Sequence, residues 1–551
     1  MNKVTEINQD TQIDYFDNQY LSFMNKKTST NINEDNFMLN TYIVDRLKKY
    51  TLKDYNYDIE NLGIEKTWSY ICQYVLKYGE NKDFLNISNF VEMYEIALAL
   101  VDKQNKKESG QYYTPEDVAL VMSKWFDKIE AKNICDVACG TGKLILTYFD
   151  YIGKKRTIDI LNNRRLYIYD LDSIALKICK TSILLKYGLE YEDKINVIQG
   201  DFLNKKITLP EDCKVISNPP YTNINNIPPS WDKTNVLLDT KELYSVFIEK
   251  IIKQSSASVI ITPYSFIGGS KFYSLRKLMN NYNGFIVSFD NVPGNIFCGR
   301  KHGIFNTNTS NSVRAAITVV ENKYGINGFK LSPLIRFKNK ERDRLLQCEV
   351  LENFIYEKYQ IVDTMHSMYF KCDKRLGEIF NAWKSCSKKT LNDYVGNQGC
   401  YKLSMPNTCR YFTTASNKLL NRTGQIELNF EEESVFNFIY CLINSSFAYW
   451  YWRIYDGGIT YPKKLLLSMP IFYDKITQED KAFFNSLASE MIKLSDNFIV
   501  HKNNIGIQEN IKFPRKYRDL INERLLKILQ IDKNVNIFDI IHSNMALEVN
   551  L

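Results

Sequence analysis

Asn133-Ile134-Cys135-Asp136-Val137-Ala138-Cys139-Gly140-Thr141-Gly142, running on into Lys143-Leu144-Ile145-Leu146-Thr147-Tyr148-Phe149, is the stretch that decides the fold. The first apolar run reads as a strand, the glycines as a tight turn, and the residues after Lys143 as a helix. Gly140 and Gly142 let a ligand approach the backbone closely. Two glycine loops are excluded by inspection. A phosphate-binding loop needs glycine where Val137 stands and Ser or Thr where Leu144 stands. A dinucleotide fingerprint needs a third glycine where Ile145 stands.

Two further strands end in acid. Leu166-Tyr167-Ile168-Tyr169-Asp170 continues into Leu171-Asp172, and an acid ending a second strand is where a ribose diol is gripped. Asp170 takes that role here, with Asp172 as alternate. Ile195-Asn196-Val197-Ile198-Gln199-Gly200-Asp201 reads as a third strand. Asp201 is placed to accept from an adenine amine, and Phe202 either covers the adenine ring or is plain core.

After the apolar pair Val215-Ile216 comes Ser217-Asn218-Pro219-Pro220-Tyr221. An aryl amine is a poor nucleophile because its lone pair is delocalised into the ring. Acceptors on both of its N–H groups let the nitrogen pyramidalise. The amide oxygen of Asn218 is one acceptor. Pro219 and Pro220, with φ fixed near −65°, aim a backbone carbonyl as the second. Tyr221 offers a flat face for a base. No strong general base is required; pre-positioned acceptors stabilise the charge developing on nitrogen. Upstream, Ser109-Gly110-Gln111-Tyr112-Tyr113-Thr114-Pro115 precedes a helical pattern, with Thr114 suited to the N-cap and Pro115 to the first turn.

The order of these segments resembles the gamma group of DNA adenine-N6 methyltransferases of bacterial restriction–modification systems, over roughly residues 105–325. The resemblance implies an α/β fold: a Rossmann-like class I methyltransferase sheet with helices on both faces. It implies S-adenosyl-L-methionine as cofactor, held by Tyr113, Thr114 and Pro115 over the methionine end. The turn residues Asp136, Ala138, Gly140 and Gly142 would hold it too, with Asp136 meeting the methionine amine, and so would Asp170, Leu171, Asp201 and Phe202. It implies Asn218, Pro219, Pro220 and Tyr221 as the catalytic segment, and an aromatic stacking on the flipped base. Phe297 is the candidate, in competition with Phe305. One departure is Ser255-Ser256, where the family carries Gly-Gly before the next strand.

Composition agrees without deciding. Lys+Arg exceed Asp+Glu by 71 to 63, a net charge of +8, which suits a DNA partner met through a local basic surface. Arg336, Lys338, Lys340, Arg342 and Arg344, interrupted by Glu341 and Asp343, read as a basic linker or as solvated surface. Twelve cysteines without a CxxC pair and four histidines argue against zinc or a disulfide framework and for a reducing cytoplasm. No Pro-Cys dipeptide supplies the nucleophile of cytosine-C5 chemistry. The polar start shows no signal peptide, and the apolar stretch at 435–452 is too interrupted to span a membrane.

The expected organisation is a mobile polar segment (1–35), a helical N-terminal lobe (36–105), the methyltransferase domain (106–325), the basic linker (326–345) and an α+β target-recognition domain (346–551). In the last, 400–403, 409–414 and 424–430 read as strands. Residues 436–452 resemble a helix of such domains. Arg410, Asn417, Lys418, Arg422 and Lys463 are nominees for DNA contact. Partners implied are double-stranded DNA and a separately encoded restriction endonuclease, with a monomer favoured. Two other readings stay open. One is a modification subunit needing a separate specificity subunit. The other is a methyltransferase of RNA or of a protein glutamine.

Overall fold

A computed structural model describes residues 114–297, 313–321, 328–358, 368–409, 411–504 and 506–547. The expectations for residues 1–35 and 36–105 lie outside the described residues, as do Tyr113, Phe305 and Arg410. One sheet is built from β1 (Asn133–Val137), β2 (Leu166–Asp170), β3 (Asn196–Gln199), β4 (Cys213–Ser217), β5 (Ala257–Pro263), β6 (Asn283–Phe289), β7 (Ala315–Glu321) and β8 (Gly328–Ile335). The strand order is β3-β2-β1-β4-β5-β7-β6-β8. β1 to β5 are parallel, β7 runs antiparallel between β5 and β6, and β8 lies parallel to β6. This is the Rossmann-like sheet that the resemblance implies. The order reverses between β1 and β4, so the glycine turn and the Asn-Pro-Pro-Tyr segment leave neighbouring strands at the crevice where ligands of open α/β sheets bind.

The central strands are apolar because both faces are covered. All of β5 is buried; Val259 and Ile261 join one core while Ile260 joins the other. In β1, Ile134 and Val137 divide in the same way, as a period of two requires. The first core is filled by α1 (Glu116–Asp127), α2 (Lys143–Ile152) and α3 (Ser173–Tyr187), the second by α4 (Leu243–Gln254). At Ser255-Ser256 the turn closes without glycine. The Ser255 N–H and hydroxyl donate to the Ile251 carbonyl (2.9 and 2.7 Å), and the Ser256 N–H to that of Cys213 (2.8 Å).

The described part of 326–345 is not a solvated linker. It opens with β8, and Arg336 and Arg342 are buried. Arg336 pairs with Asp290 and Arg342 with Asp117, partners far away in sequence. Beyond it, β9 (Tyr401–Pro406) and β10 (Gln425–Phe430) form an antiparallel hairpin, as do β11 (Ile499–Asn504) and β12 (Gly506–Ile511). The described residues of 409–414 form no strand. The helix read at 436–452 is two helices, α5 (Glu433–Ile443) and α6 (Ser446–Tyr455). Ser445 breaks the run by capping α6, its hydroxyl accepting from the Phe447 N–H at 3.0 Å. Their aromatics, Phe438, Trp450 and Trp452 among them, are core. No described helix is long and apolar enough to cross a membrane.

Candidate active site

The turn after β1 is wound left-handed three times, at Ala138 (φ +59°), Gly140 (φ +52°) and Gly142 (φ +92°). Ala138 carries a strain that an L residue bears only where its surroundings impose it. At Gly142 a Cβ would lie 2.5 Å from Cys179 Sγ, whereas nothing lies within 4 Å of one at Gly140. One glycine thus seats α2 against α3, and the other leaves open space. The Gly140 N–H donates to Asp170 Oδ2 at 2.7 Å, and the Asp172 N–H to Asp170 Oδ1 at 2.8 Å. Asp170 is therefore aimed at the turn, while Asp172 Oδ1 accepts from the Ala175 N–H at the start of α3.

Asp136 is wholly buried, and neither carboxylate oxygen has a hydrogen-bond partner among the described residues. Burial first, then the charge of Asp170, pushes its carboxyl well above the usual range, outweighing the pull of the Ile145 amide. Burial likewise lifts Asp170 to about 6, against the Asp172 and Gly140 amides. A buried acid awaiting a cation, an acid poised for a diol, and the exposed Leu171 beside them (72% exposed) fit S-adenosylmethionine. A diol donating to Asp170 favours its ionised form. Cofactor affinity is therefore expected to weaken as pH falls through about 6, with proton release on binding below it, and Asp170→Asn should flatten that profile. Calorimetry across pH 5 to 8 checks this; an unchanged profile in Asp170→Asn would remove Asp170 from the ribose. The free protein has the opposite dependence. A raised carboxyl costs stability as pH rises from the unfolded value near ~3.9.

Asp201 Oδ2 accepts from the Trp231 indole and its Oδ1 from the Leu203 N–H. Phe202 lies in the core, edge-on to Tyr169 (5.8 Å between centroids) and packed on Phe247 (5.3 Å). The core alternative is the one its surroundings match.

At the end of β4, the Ser217 hydroxyl donates to the Val137 carbonyl, tying the segment to the glycine turn. Asn218 Nδ2 donates to Thr114 Oγ1 at 3.0 Å. Thr114 is not the helix cap expected from sequence: Pro115 occupies that position and no side chain caps α1. Its hydroxyl orients the amide instead. Tyr221, read from sequence as a flat face for a base, also carries a polar contact. Its hydroxyl lies 2.6 Å from Asn218 Oδ1 and 3.2 Å from the Ile261 carbonyl, and the shorter contact takes its one proton. Its ring meets Phe297 edge-on at 5.9 Å and 62°. The family resemblance alone brought Phe297 to notice; the fold sets it against the Asn-Pro-Pro-Tyr segment. Thr114→Val is expected to lower turnover about tenfold, the size of one lost buried hydrogen bond, at unchanged cofactor affinity. Thr114→Ser should restore most of it. A variant that binds cofactor more weakly yet turns over normally would return Thr114 to the methionine end.

Three of the nominees for DNA contact have partners within the chain. Lys418 pairs with Asp496, Arg422 Nη1 donates to the Glu509 carbonyl at 3.2 Å, and exposed Lys463 donates to that of Glu427 at 3.3 Å. Sequence reading missed Ser217 as a tie and Trp231 as the partner of Asp201. The first was signalled by adjacency to Asn218; the second had no local signal.

Comparison with known proteins agrees with this geometry. Residues 86–343 match the N-6 DNA methylase family. Among curated relatives, the type I restriction enzyme MpnII methylase subunit of Mycoplasma pneumoniae is 22% identical over 38% of this chain and 42% of its own length. A release factor glutamine methyltransferase of Clostridium acetobutylicum is 24% identical over 36% of this chain and 63% of its own. The type II methyltransferase M.PstI of Providencia stuartii is 25% identical over 34% and 39%. The chain spans less than two thirds of the length of each. The matched residues 86–343 hold the turn, the acids and the Asn-Pro-Pro-Tyr segment, so it is this part of the chain that is similar to the N-6 DNA methylase family.

Proposed function

We propose that the chain methylates N6 of an adenine flipped out of double-stranded DNA, at specific sites and in the cytoplasm, protecting them from a cognate restriction endonuclease. One observation carries the reading: the Asn218 amide stands between the Thr114 and Tyr221 hydroxyls, just after the strand that neighbours β1, whose end carries a strained glycine turn and a buried, unpartnered acid. When bound, S-adenosylmethionine supplies an electrophilic methyl group. In this reading Asp136 takes the amine of that cofactor, and Ala138, Gly140 and Gly142 let it approach the backbone. Asp170 takes the ribose, and Leu171 and Asp201 the adenine. Asn218 Oδ1 and the Pro219 carbonyl accept the two N–H groups of the target amine, and Pro220 holds that carbonyl in place. Tyr221 and Phe297 supply aromatic faces to an extruded base, offsetting the few kcal/mol that flipping costs.

The C-terminal region is read as the recognition element, with Arg410, Arg422 and Lys463 as its nominees; Lys418 is the weakest because Asp496 already holds it. The type I methylase-subunit relative favours a second reading, in which a separate specificity subunit chooses the site. The test is to incubate the purified chain alone with S-adenosylmethionine and methylation-free genomic DNA and to map N6-methyladenine. One modified motif supports the first reading. Adenine modified only after a specificity subunit is added supports the second, and modified RNA or protein glutamine in place of DNA would overturn both.

A further inference from the structure

Arg342, read from sequence as part of a linker, is 2% exposed and joins two elements of the site. Its Nε and Nη2 grip Asp117 on α1 at 2.6 and 3.0 Å, three residues beyond Thr114. Its Nη1 and Nη2 also donate to the consecutive carbonyls of Asn295 and Ile296, at 2.9 and 2.8 Å. The next residue is Phe297. Its N–H is held by Asn295 Oδ1 at 2.9 Å, and the Gly294 N–H by the Phe337 carbonyl at 2.8 Å. At Gly294 a Cβ would stand 2.6 Å from that carbonyl oxygen, so the loop can lie this close only with glycine there.

We propose that Arg342 is a positioning residue that makes Phe297 the fixed wall of the target-base pocket and leaves Tyr221 as the wall that moves; this rests on the adenine methyltransferase reading. Tyr221 and Phe297 now touch edge to face, an arrangement with no slot for a base between them. A base enters by parting them. The loop before Phe297 is braced through its backbone, whereas half-buried Tyr221 is held through its side chain, the hydroxyl against Asn218 Oδ1 and the ring edge-on to Tyr244 at 6.2 Å. When Tyr221 swings, that oxygen exchanges the phenol for the incoming amine. Base entry and exposure of the acceptor are then one motion. Only a guanidinium can grip a carboxylate with one edge and two successive carbonyls with its remaining N–H groups; an ammonium has the charge but not the fork.

The test compares Arg342→Lys with the wild-type chain in single-turnover methylation of two duplexes carrying the motif that the wild type modifies. In one the target adenine faces thymine; in the other it faces an abasic site, where flipping costs less. The variant is expected to lose about tenfold or more on the paired duplex and to come within about threefold of wild type opposite the abasic site, with unchanged cofactor affinity. An unchanged rate, an equal loss on both duplexes, or weakened cofactor binding would overturn the inference. Should Arg342→Lys fail to fold, Asp117→Asn must show the same dependence on substrate. A wild-type chain that modifies no adenine, either alone or with a specificity subunit added, overturns the reading beneath, and the inference with it.

Discussion

Asn218→Ala is expected to lower methyl transfer by about 10²–10³-fold or more while cofactor affinity stays near wild type. The amide is the polar group best placed to accept from a target amine. It is oriented from one side by the Thr114 hydroxyl and occupied on the other by the Tyr221 phenol. Alanine removes the acceptor and leaves both hydroxyls facing a gap that water can fill, so the fold should be little affected. The acids proposed to hold the cofactor, Asp136 and Asp170, stand on β1 and β2 and do not depend on the amide. Asn218→Asp is the informative companion. It keeps an acceptor, cannot donate to Thr114 when ionised, and adds a charge beside the reacting centre; an intermediate rate is expected. Single-turnover methylation and cofactor calorimetry check both variants. Methylation surviving in Asn218→Ala would mean that the activating acceptor lies elsewhere. A parallel loss of cofactor affinity would mean that the amide serves the cofactor.

The sheet was legible because its central strands are apolar along most of their length and its turn residues are chemically unusual. Val137, Leu144 and Ile145 alone removed the competing glycine loops. The two ends of the site were legible as separate motifs, but the contacts between them were not. Thr114 before Pro115 looks like a helix cap in any sequence, and only the fold brings it to Asn218, 104 residues on. Tyr221 could be read as an aromatic face, but not as a hydroxyl resting on the neighbouring amide. The arginines after β8 show the reverse error. A run of basic residues interrupted by acids is usually solvated, and burial of Arg336 and Arg342 depends on carboxylates that arrive from distant elements. Phe202 was open in the sequence between cofactor and core because both sites follow a strand end. Tyr169 and Phe247 decide its surroundings.

Asp290→Ala is expected to cost about 3–5 kcal/mol of stability, the penalty of leaving buried charge uncompensated. Its side chain is fully buried and accepts from Arg314 Nε at 2.9 Å, Arg336 Nη2 at 3.1 Å and Arg453 Nη1 at 2.7 Å. Burial alone would raise its carboxyl, but the charges of Arg453, Arg314 and Arg336 outweigh that and hold it far below the usual range. Arg314 precedes β7, Arg336 follows β8, and Arg453 comes from α6 of the C-terminal region, so one carboxylate fastens that region to the sheet at the root of the loop leading to Phe297. Asp290→Asn keeps the shape and loses the charge, and an intermediate cost is expected. The sign with pH is fixed by the lowered value. The contribution of Asp290 is present above the unfolded carboxyl value near ~3.9 and is lost as pH falls towards the folded one. The gap in unfolding midpoint between wild type and Asp290→Asn should therefore be full at pH 7 and narrow below about pH 4. Limited proteolysis supplies the second readout. If the carboxylate is the joint, Asp290→Ala exposes cleavage sites between β8 and α6 before the sheet itself melts. Melting of both parts together at an unchanged midpoint would mean that the interface is held by its apolar packing, with the arginines satisfied by carbonyls such as that of Leu334.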